Sequence, residues 1–363
     1  MATKTPVVDI HSHIYPESWL SLLRNRTSPP YIDTTANTLV NRPGVAGKPL
    51  LPNLHDISTK IEFMDQHGID ISVLSLGNPW LDFLTTPEEA AECVPVAAKI
   101  NAEMEDMCNQ YAGRLFFFAV LPLSAPTDVL ITQIETLSSL YPHYRGVVMG
   151  YTHVDSPSFL PVFRALSEAK LPIFFHPNCG LPADVFGPCC AQYGQVMPVS
   201  LGFTTETTVA FTRMYLAGVF DQVPDLRVIL PHAGGTLPFV IGRIEACISN
   251  DKTYQQRLSS PSSLSIPRSL RDVLKTNVYL DGITFDAGAL RAAVDVVGAE
   301  RVMFGTDHPL FPSLRADGKY HGMVRNRDAV RVCFGGGSGD GEGVMGGNAV
   351  GVLGLGRRDV CAL

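Results

Sequence analysis

Eight short apolar runs recur along the chain, each closed by glycine or a polar residue. They are PVVDI (6–10), ISVLSL (71–76), LFFFAVL (115–121), GVVMG (146–150), PIFFH (172–176), RVILPH (227–232), VYLDG (278–282) and RVMFG (301–305). Val, Ile, Phe and Leu dominate them, and they are nearly continuous in hydrophobicity. Strands covered on both faces have that pattern, whereas a strand with one wet face alternates. Helix-like segments lie between most of the runs. The clearest spans 87–113 and ends at Gly113; others cover 156–170 and 286–298. Eight strands alternating with helices predict an α/β fold, a (β/α)8 TIM barrel formed by residues 1–363 as one domain. An open doubly wound sheet would carry a glycine-rich phosphate loop after its first strand. Here that place holds His-Ser-His, which favours the barrel.

Two long insertions interrupt the alternation, at 14–58 after the first strand and 177–203 after the fifth. Loops at the C-terminal ends of barrel strands build the mouth of the site. The stretch GGGSGDGEGVMGG (335–347) reads as a flexible loop, since no lysine or hydroxyl completes a phosphate cradle. With 45% hydrophobic and 17% charged residues, the composition is that of a folded chain. The net charge of −7 leaves no basic footprint for nucleic acid. No run approaches the roughly 20 apolar residues of a membrane span. The first strand begins too early for a secretory leader, so a cytoplasmic location is expected. Eight cysteines without a CxxC pair read as free thiols, and the adjacent Cys189 and Cys190 make a poor zinc pair.

The strand ends carry the chemistry. His11 and His13 are two apart, so they face the same side of a strand. His176 ends the fifth run, His232 ends the sixth, and Asp307 follows the eighth. All five fall on the face where barrels keep their active sites. A single histidine is usually structural; five such residues on one face are hard to explain that way. Three imidazoles and one carboxylate suit Zn2+, with Mn2+ as a second choice, and leave a position open for water or substrate. His232 is then a fourth imidazole, free to orient water or move a proton. His308 follows Asp307 but need not face the ion. His55, His67, His143, His153 and His321 fall in loops or helices and read as non-ligands. Residue chemistry alone leaves open a decarboxylase, a metal-dependent hydrolase of a lactone or amide, and a barrel that only binds a metabolite.

The segments DIHSH, FFHP, LPHAGGTLPFVIGR and MFGTDHP resemble the metal-dependent decarboxylase branch of the amidohydrolase superfamily. That branch holds the aminocarboxymuconate semialdehyde, resorcylate and dihydroxybenzoate decarboxylases. Within it, SLGNPWLDFL (75–84), GRLFFFAVLPLSAP (113–126), CGLP (179–182) and GFTTETT (202–208) are most similar to the fungal isoorotate decarboxylases. The resemblance covers roughly residues 6 to 315. It implies that His11, His13, His176 and Asp307 hold the metal and that His232 and Asp307 are catalytic. It implies that Asn78 and Phe203 line the ring pocket and that Arg243, in VIGR, reaches a neighbouring subunit in a homodimer or homotetramer. Lys48 stands where relatives can carry a substrate-binding arginine, and Leu310 where a phenylalanine can occur. The implied reaction is loss of CO2 from a small carboxylate, 5-carboxyuracil, to give uracil in pyrimidine salvage. A hydroxybenzoate or aminocarboxymuconate semialdehyde is the alternative substrate. The glycine-rich tail departs from the helical ending the resemblance implies.

Overall fold

The computed structural model describes residues 5–42, 47–178, 180–259, 268–312 and 319–355. Eight parallel strands lie side by side in chain order: β1 (Val8–Ile14), β2 (Ile71–Leu76), β3 (Leu115–Val120), β4 (Tyr144–Met149), β5 (Ile173–Phe175), β6 (Val228–Leu230), β7 (Val278–Asp281) and β8 (Val302–Met303). Each coincides with one of the eight apolar runs. The last strand meets the first where Ile10 N–H donates to the Phe304 carbonyl at 3.0 Å and Ser12 bridges to His308. The barrel therefore closes, and the fold is the expected (β/α)8 TIM barrel.

Each strand is followed by a main helix that returns the chain: α1 (Ile57–His67), α2 (Pro87–Gln110), α3 (Thr127–Leu140), α4 (Leu160–Glu168), α5 (Phe203–Leu216), α6 (Leu237–Asn250), α7 (Ala287–Val297) and α8 (His321–Phe334), with shorter helices added after some of them, as at Lys252–Leu258 and Leu270–Thr276. Local chemistry sets where several begin. Thr86 and Glu89 form a reciprocal capping box at the start of α2, and Asp286 accepts from Ala289 N–H ahead of α7. The strands are almost wholly buried between the barrel interior and this helical layer. That double cover explains their unbroken hydrophobicity.

The first insertion holds a helix (Glu17–Arg24) and a small antiparallel sheet of Tyr31–Asp33, Thr38–Val40 and Lys48–Pro49. The second is a series of short turns leading into α5. The expectation of a flexible loop at 335–347 is corrected by the structure. A helical turn (Gly339–Glu342), a wide π turn (Gly343–Gly347) and a last helical turn (Asn348–Val352) follow α8. Val344 is fully buried, and its carbonyl accepts from Phe304 N–H at 2.8 Å. Glycine serves close approach here: a Cβ on Gly346 would overlap the Pro6 carbonyl oxygen. The six cysteines among the described residues are free thiols, while Cys179, in the CGLP segment, and Cys361 lie outside the described residues. Among the described residues no helix is long and apolar enough to cross a membrane.

Candidate metal centre and active site

At the C-terminal mouth of the barrel, β1, β5 and the turn after β8 bring His11, His13, His176 and Asp307 together. One donor atom from each lies within 4.8 Å of every other, and all four residues are buried. His11 Nε2 is 3.1 Å from His13 Nε2, and Asp307 Oδ1 is 3.1 Å from His13 Nε2 and 3.4 Å from His11 Nε2.

The partners behind each imidazole fix its tautomer. His11 Nδ1–H donates to Asp281 Oδ2 at 2.6 Å. Asp281 Oδ1 is held in turn by the N–H groups of Ala233 and Ile283. The Ser75 hydroxyl gives its hydrogen to the Ser12 carbonyl, so it accepts from His13 Nδ1–H at 3.2 Å. His176 Nδ1–H donates to the Pro177 carbonyl at 2.8 Å. Each ring therefore spends its hydrogen outward and turns a bare Nε2 lone pair toward the same point. His176 Nε2 is buried and has no hydrogen-bond partner among the described residues. Converging lone pairs and a carboxylate repel one another unless a cation lies between them. The donor set thus fits a divalent ion, with outer partners that orient the ligands.

Electrostatics agrees. Burial pushes Asp307 up, but the charges of His11, His13 and His232 and the His13 bond bring it down to about 2. Burial lowers His13 to about 4 and holds His176 well below the usual histidine range, so both are neutral and able to ligate. Burial opposes a charge on His11 too, but Asp307 and Asp281 outweigh it and raise that group. Two residues of the site sit in the left-handed region, Asp307 at φ 59° and His232 at φ 53°. Such strain costs about 1–3 kcal/mol per residue and is concentrated at functional sites.

His232 stands beside the cluster, with Nε2 3.9 Å from Asp307 Oδ2, and burial lowers its affinity for a proton. A small cavity of about 40 Å³ opens next to His13, lined by Tyr15, Lys48, Gly77, Asn78 and Leu310 among others. Asn78 is buried, and its Nδ2 donates to the Asn178 carbonyl at 2.9 Å. Phe203, the first residue of α5, meets His176 edge-on at 6.3 Å and lies under the Lys48 ammonium at 5.4 Å. Lys48, Asn78 and Phe203 thus gather at the mouth. Arg243 does not join them within its own chain; it lies on the exposed side of α6. A wider cavity of about 1070 Å³ begins at His232 and is walled by Phe239, Phe285 and Phe311.

None of the remaining described histidines joins the ligand cluster, although His321 lines the wide cavity that begins at His232. His308 turns its ring to Lys60 and Phe63, His143 pairs with Glu105, and His153 stacks on Phe159. Sequence reasoning misses Asp281, Ser75 and Asp9, which support the ligands. Asp9 accepts from the N–H groups of His11 and Thr306 and from the Thr306 hydroxyl. Asp281 ends β7 as His176 follows β5, so the strand-end rule could have found it.

Comparison with known proteins agrees with this architecture. Residues 8–355 match the amidohydrolase family. The crystal structure of the Metarhizium anisopliae IDCase in apo form, a fungal isoorotate decarboxylase, superposes with a TM-score of 0.89 at 43% identity, covering 96% of this chain and 97% of that one. A gamma-resorcylate decarboxylase from Rhizobium sp. (strain MTP-10005) is 26% identical over 74% of this chain and 81% of its own. The 2-amino-3-carboxymuconate-6-semialdehyde decarboxylase of Dictyostelium discoideum is 24% identical over 96% of this chain and 91% of its own. With the family match spanning nearly the whole barrel and the His–Asp centre at its mouth, the chain belongs to the amidohydrolase family, in its metal-dependent decarboxylase branch.

Proposed function

We propose that the chain decarboxylates 5-carboxyuracil (isoorotate) without oxidation, giving uracil and CO2, with zinc as the ion and manganese as the second choice. The observation that carries this reading is the convergent His11, His13, His176 and Asp307 set with Asn78, Lys48 and Phe203 gathered beside it. The 43% identity to the Metarhizium enzyme supports the substrate. When bound, the ion supplies a positive centre for the substrate carboxylate and the neighbouring ring oxygen.

The chain's own residues do the rest. The Asn78 amide offers a donor and an acceptor to the imide edge of a pyrimidine. Phe203 offers an aromatic face to the flat ring, and Lys48 a charge for a carboxylate. As the bond to the carboxylate breaks, its electron pair stays on the ring carbon and CO2 leaves. One proton must then reach that carbon. Asp307 and His232, 3.9 Å apart, are the pair that relays it from solvent. Burial of the site keeps competing water away from the nascent carbanion.

The test is a screen of purified, metal-loaded protein against 5-carboxyuracil, 2,6-dihydroxybenzoate, salicylate and aminocarboxymuconate semialdehyde, following CO2 release. We expect turnover of 5-carboxyuracil, and Asn78→Ala is expected to lose discrimination in its favour by about 10-fold or more, since an unpaired buried polar group costs roughly 1–3 kcal/mol. Absence of turnover on 5-carboxyuracil would leave only the decarboxylase class. We further propose that the protein is a homo-oligomer, at least a dimer, with Arg243 crossing between subunits, and that it works in the cytoplasm.

A further inference from the structure

Lys60 is the only lysine or arginine that is fully buried among the described residues, and nothing in the proposed reaction uses it. It lies on α1, and its Nζ donates to the carbonyl of His308 at 3.1 Å and meets His308 Nδ1 at 2.5 Å. Phe63, three residues further along α1, stacks flat on the same imidazole, with ring centres 3.8 Å apart and 21° between planes. Residues three apart share a helix face. One face of α1 therefore grips one residue, by its carbonyl, its ring nitrogen and its ring face together.

The gripped residue is next to Asp307. The His308 carbonyl also accepts from His13 N–H at 2.8 Å, so it ties the turn after β8 to a ligand-bearing stretch of β1. Asp307 holds its left-handed backbone between two further anchors. Its N–H donates to the His11 carbonyl at 2.9 Å, and His308 N–H donates to the Thr306 hydroxyl oxygen at 3.2 Å. Those anchors all come from the barrel strands and their ends. Lys60 and Phe63 tether the turn from α1 of the helical layer, alongside Asn326 of α8, whose Nδ2 donates to the Gly305 carbonyl at 3.3 Å, and Tyr320, whose ring lies 4.9 Å from that of His308. A buried lysine is unfavourable unless its polar head has work to do. Burial lowers the Lys60 ammonium to about 7, against the pull of Asp9 and Asp307. Charged or neutral, the group keeps at least two N–H donors, enough for both contacts.

We propose that Lys60 is a positioning residue of the metal centre, acting through His308 to hold the strained turn that presents Asp307 to the ion. The inference rests on the metal reading but not on the identity of the substrate. It is tested on stripped protein by titrating zinc or manganese in competition with a chromophoric chelator, with circular dichroism to verify folding. Lys60→Met is expected to weaken ion binding by up to about 10-fold, the lower end of what losing a direct outer partner of a ligand brings, since Lys60 acts one residue removed through His308. Lys60→Gln is one bond shorter but still carries a donor, and is expected to fall between Met and the wild type. A folded Lys60→Met protein with wild-type affinity overturns the proposal whatever its melting temperature, because a merely structural lysine would change only the latter. Tighter binding overturns it too, since it would mean that the lysine only repels the ion. Should Lys60→Met fail to fold, Lys60→Gln decides: a several-fold loss supports the proposal and unchanged affinity overturns it. A wild-type protein that binds neither ion would remove the metal centre itself, a result distinct from all of these.

Discussion

Each imidazole at the centre owes its usefulness to a single outward hydrogen bond. Asp281, Ser75 and the Pro177 carbonyl take the Nδ1 hydrogens, so three Nε2 lone pairs face inward. Without an ion this arrangement makes the protein sensitive to acid. His13 is held at about 4 and His176 well below its ordinary value, chiefly by burial, so the folded state takes up their protons only at lower pH than the unfolded chain. A depressed folded value means stability present above about 6.5 and lost as the pH falls toward the folded value. For His13 alone the loss is about 3 kcal/mol over that window. His11 is raised, so its contribution is already complete below 6.5 and does not offset the loss. Asp307, held near 2, stays ionised throughout. The melting temperature of ion-free protein is therefore expected to fall between pH 6.5 and 4.5. A rise on acidification across that interval would contradict the assignment of neutral ligands. Bound ion should steepen the loss, because protons compete with it for the same lone pairs.

At the scale of elements, the barrel was open to sequence reasoning because burial on both faces leaves a direct trace, an unbroken apolar run. The chemistry was legible where a polar residue ended such a run, as His176 and His232 do. Asp281 ends β7 by the same rule, but its role depends on meeting His11, 270 positions away in the sequence, which only closure of the barrel brings about. Lys60 was out of reach for another reason: within ISTKIEFMDQH it looks like any surface lysine of an amphipathic helix. The sheet of the first insertion has strands of two and three residues, too short for any periodicity to register. The glycine-rich tail misled because composition does not say whether glycine is there for freedom or for proximity. Two substitutions separate those uses. Gly346→Val would drive a side chain into the Pro6 carbonyl and is expected to destabilise by about 1–3 kcal/mol, as overpacking does. Gly351→Ala, in the last helical turn, meets nothing within 4 Å and is expected to be neutral or to stabilise by about 0.4–1 kcal/mol. Chemical denaturation measures both. If Gly346→Val were as stable as the wild type, the tail would not pack on the start of β1.

At the scale of the whole molecule, Phe239 is the most exposed large apolar side chain among the described residues. Phe239 is 93% exposed, and it walls the wide cavity that begins at His232. One exposed apolar side chain alone is ordinary, but Phe239 continues the apolar wall that Phe285 and Phe311 give this cavity, and a contiguous apolar surface marks a contact site. Arg243 lies four residues further along α6, on the same exposed side of the helix. A surface that covers Phe239 therefore takes Arg243 with it, toward whatever lies opposite. Under the proposed two-fold assembly that is the second subunit, and the same patch on each copy makes an interface of like surfaces. Each active site would then draw His232 from one chain and Arg243 from the other. Arg243→Ala and His232→Ala homo-oligomers are both expected to be nearly inactive. Mixing them in equal amounts and allowing exchange puts both defects in one site of a mixed dimer and none in the other. About a quarter of all sites are then intact in a randomly mixed dimer population, and about a quarter of wild-type turnover should return. No recovery after verified subunit exchange would confine Arg243 to its own chain, and a fully active monomer in sedimentation would remove the shared site altogether.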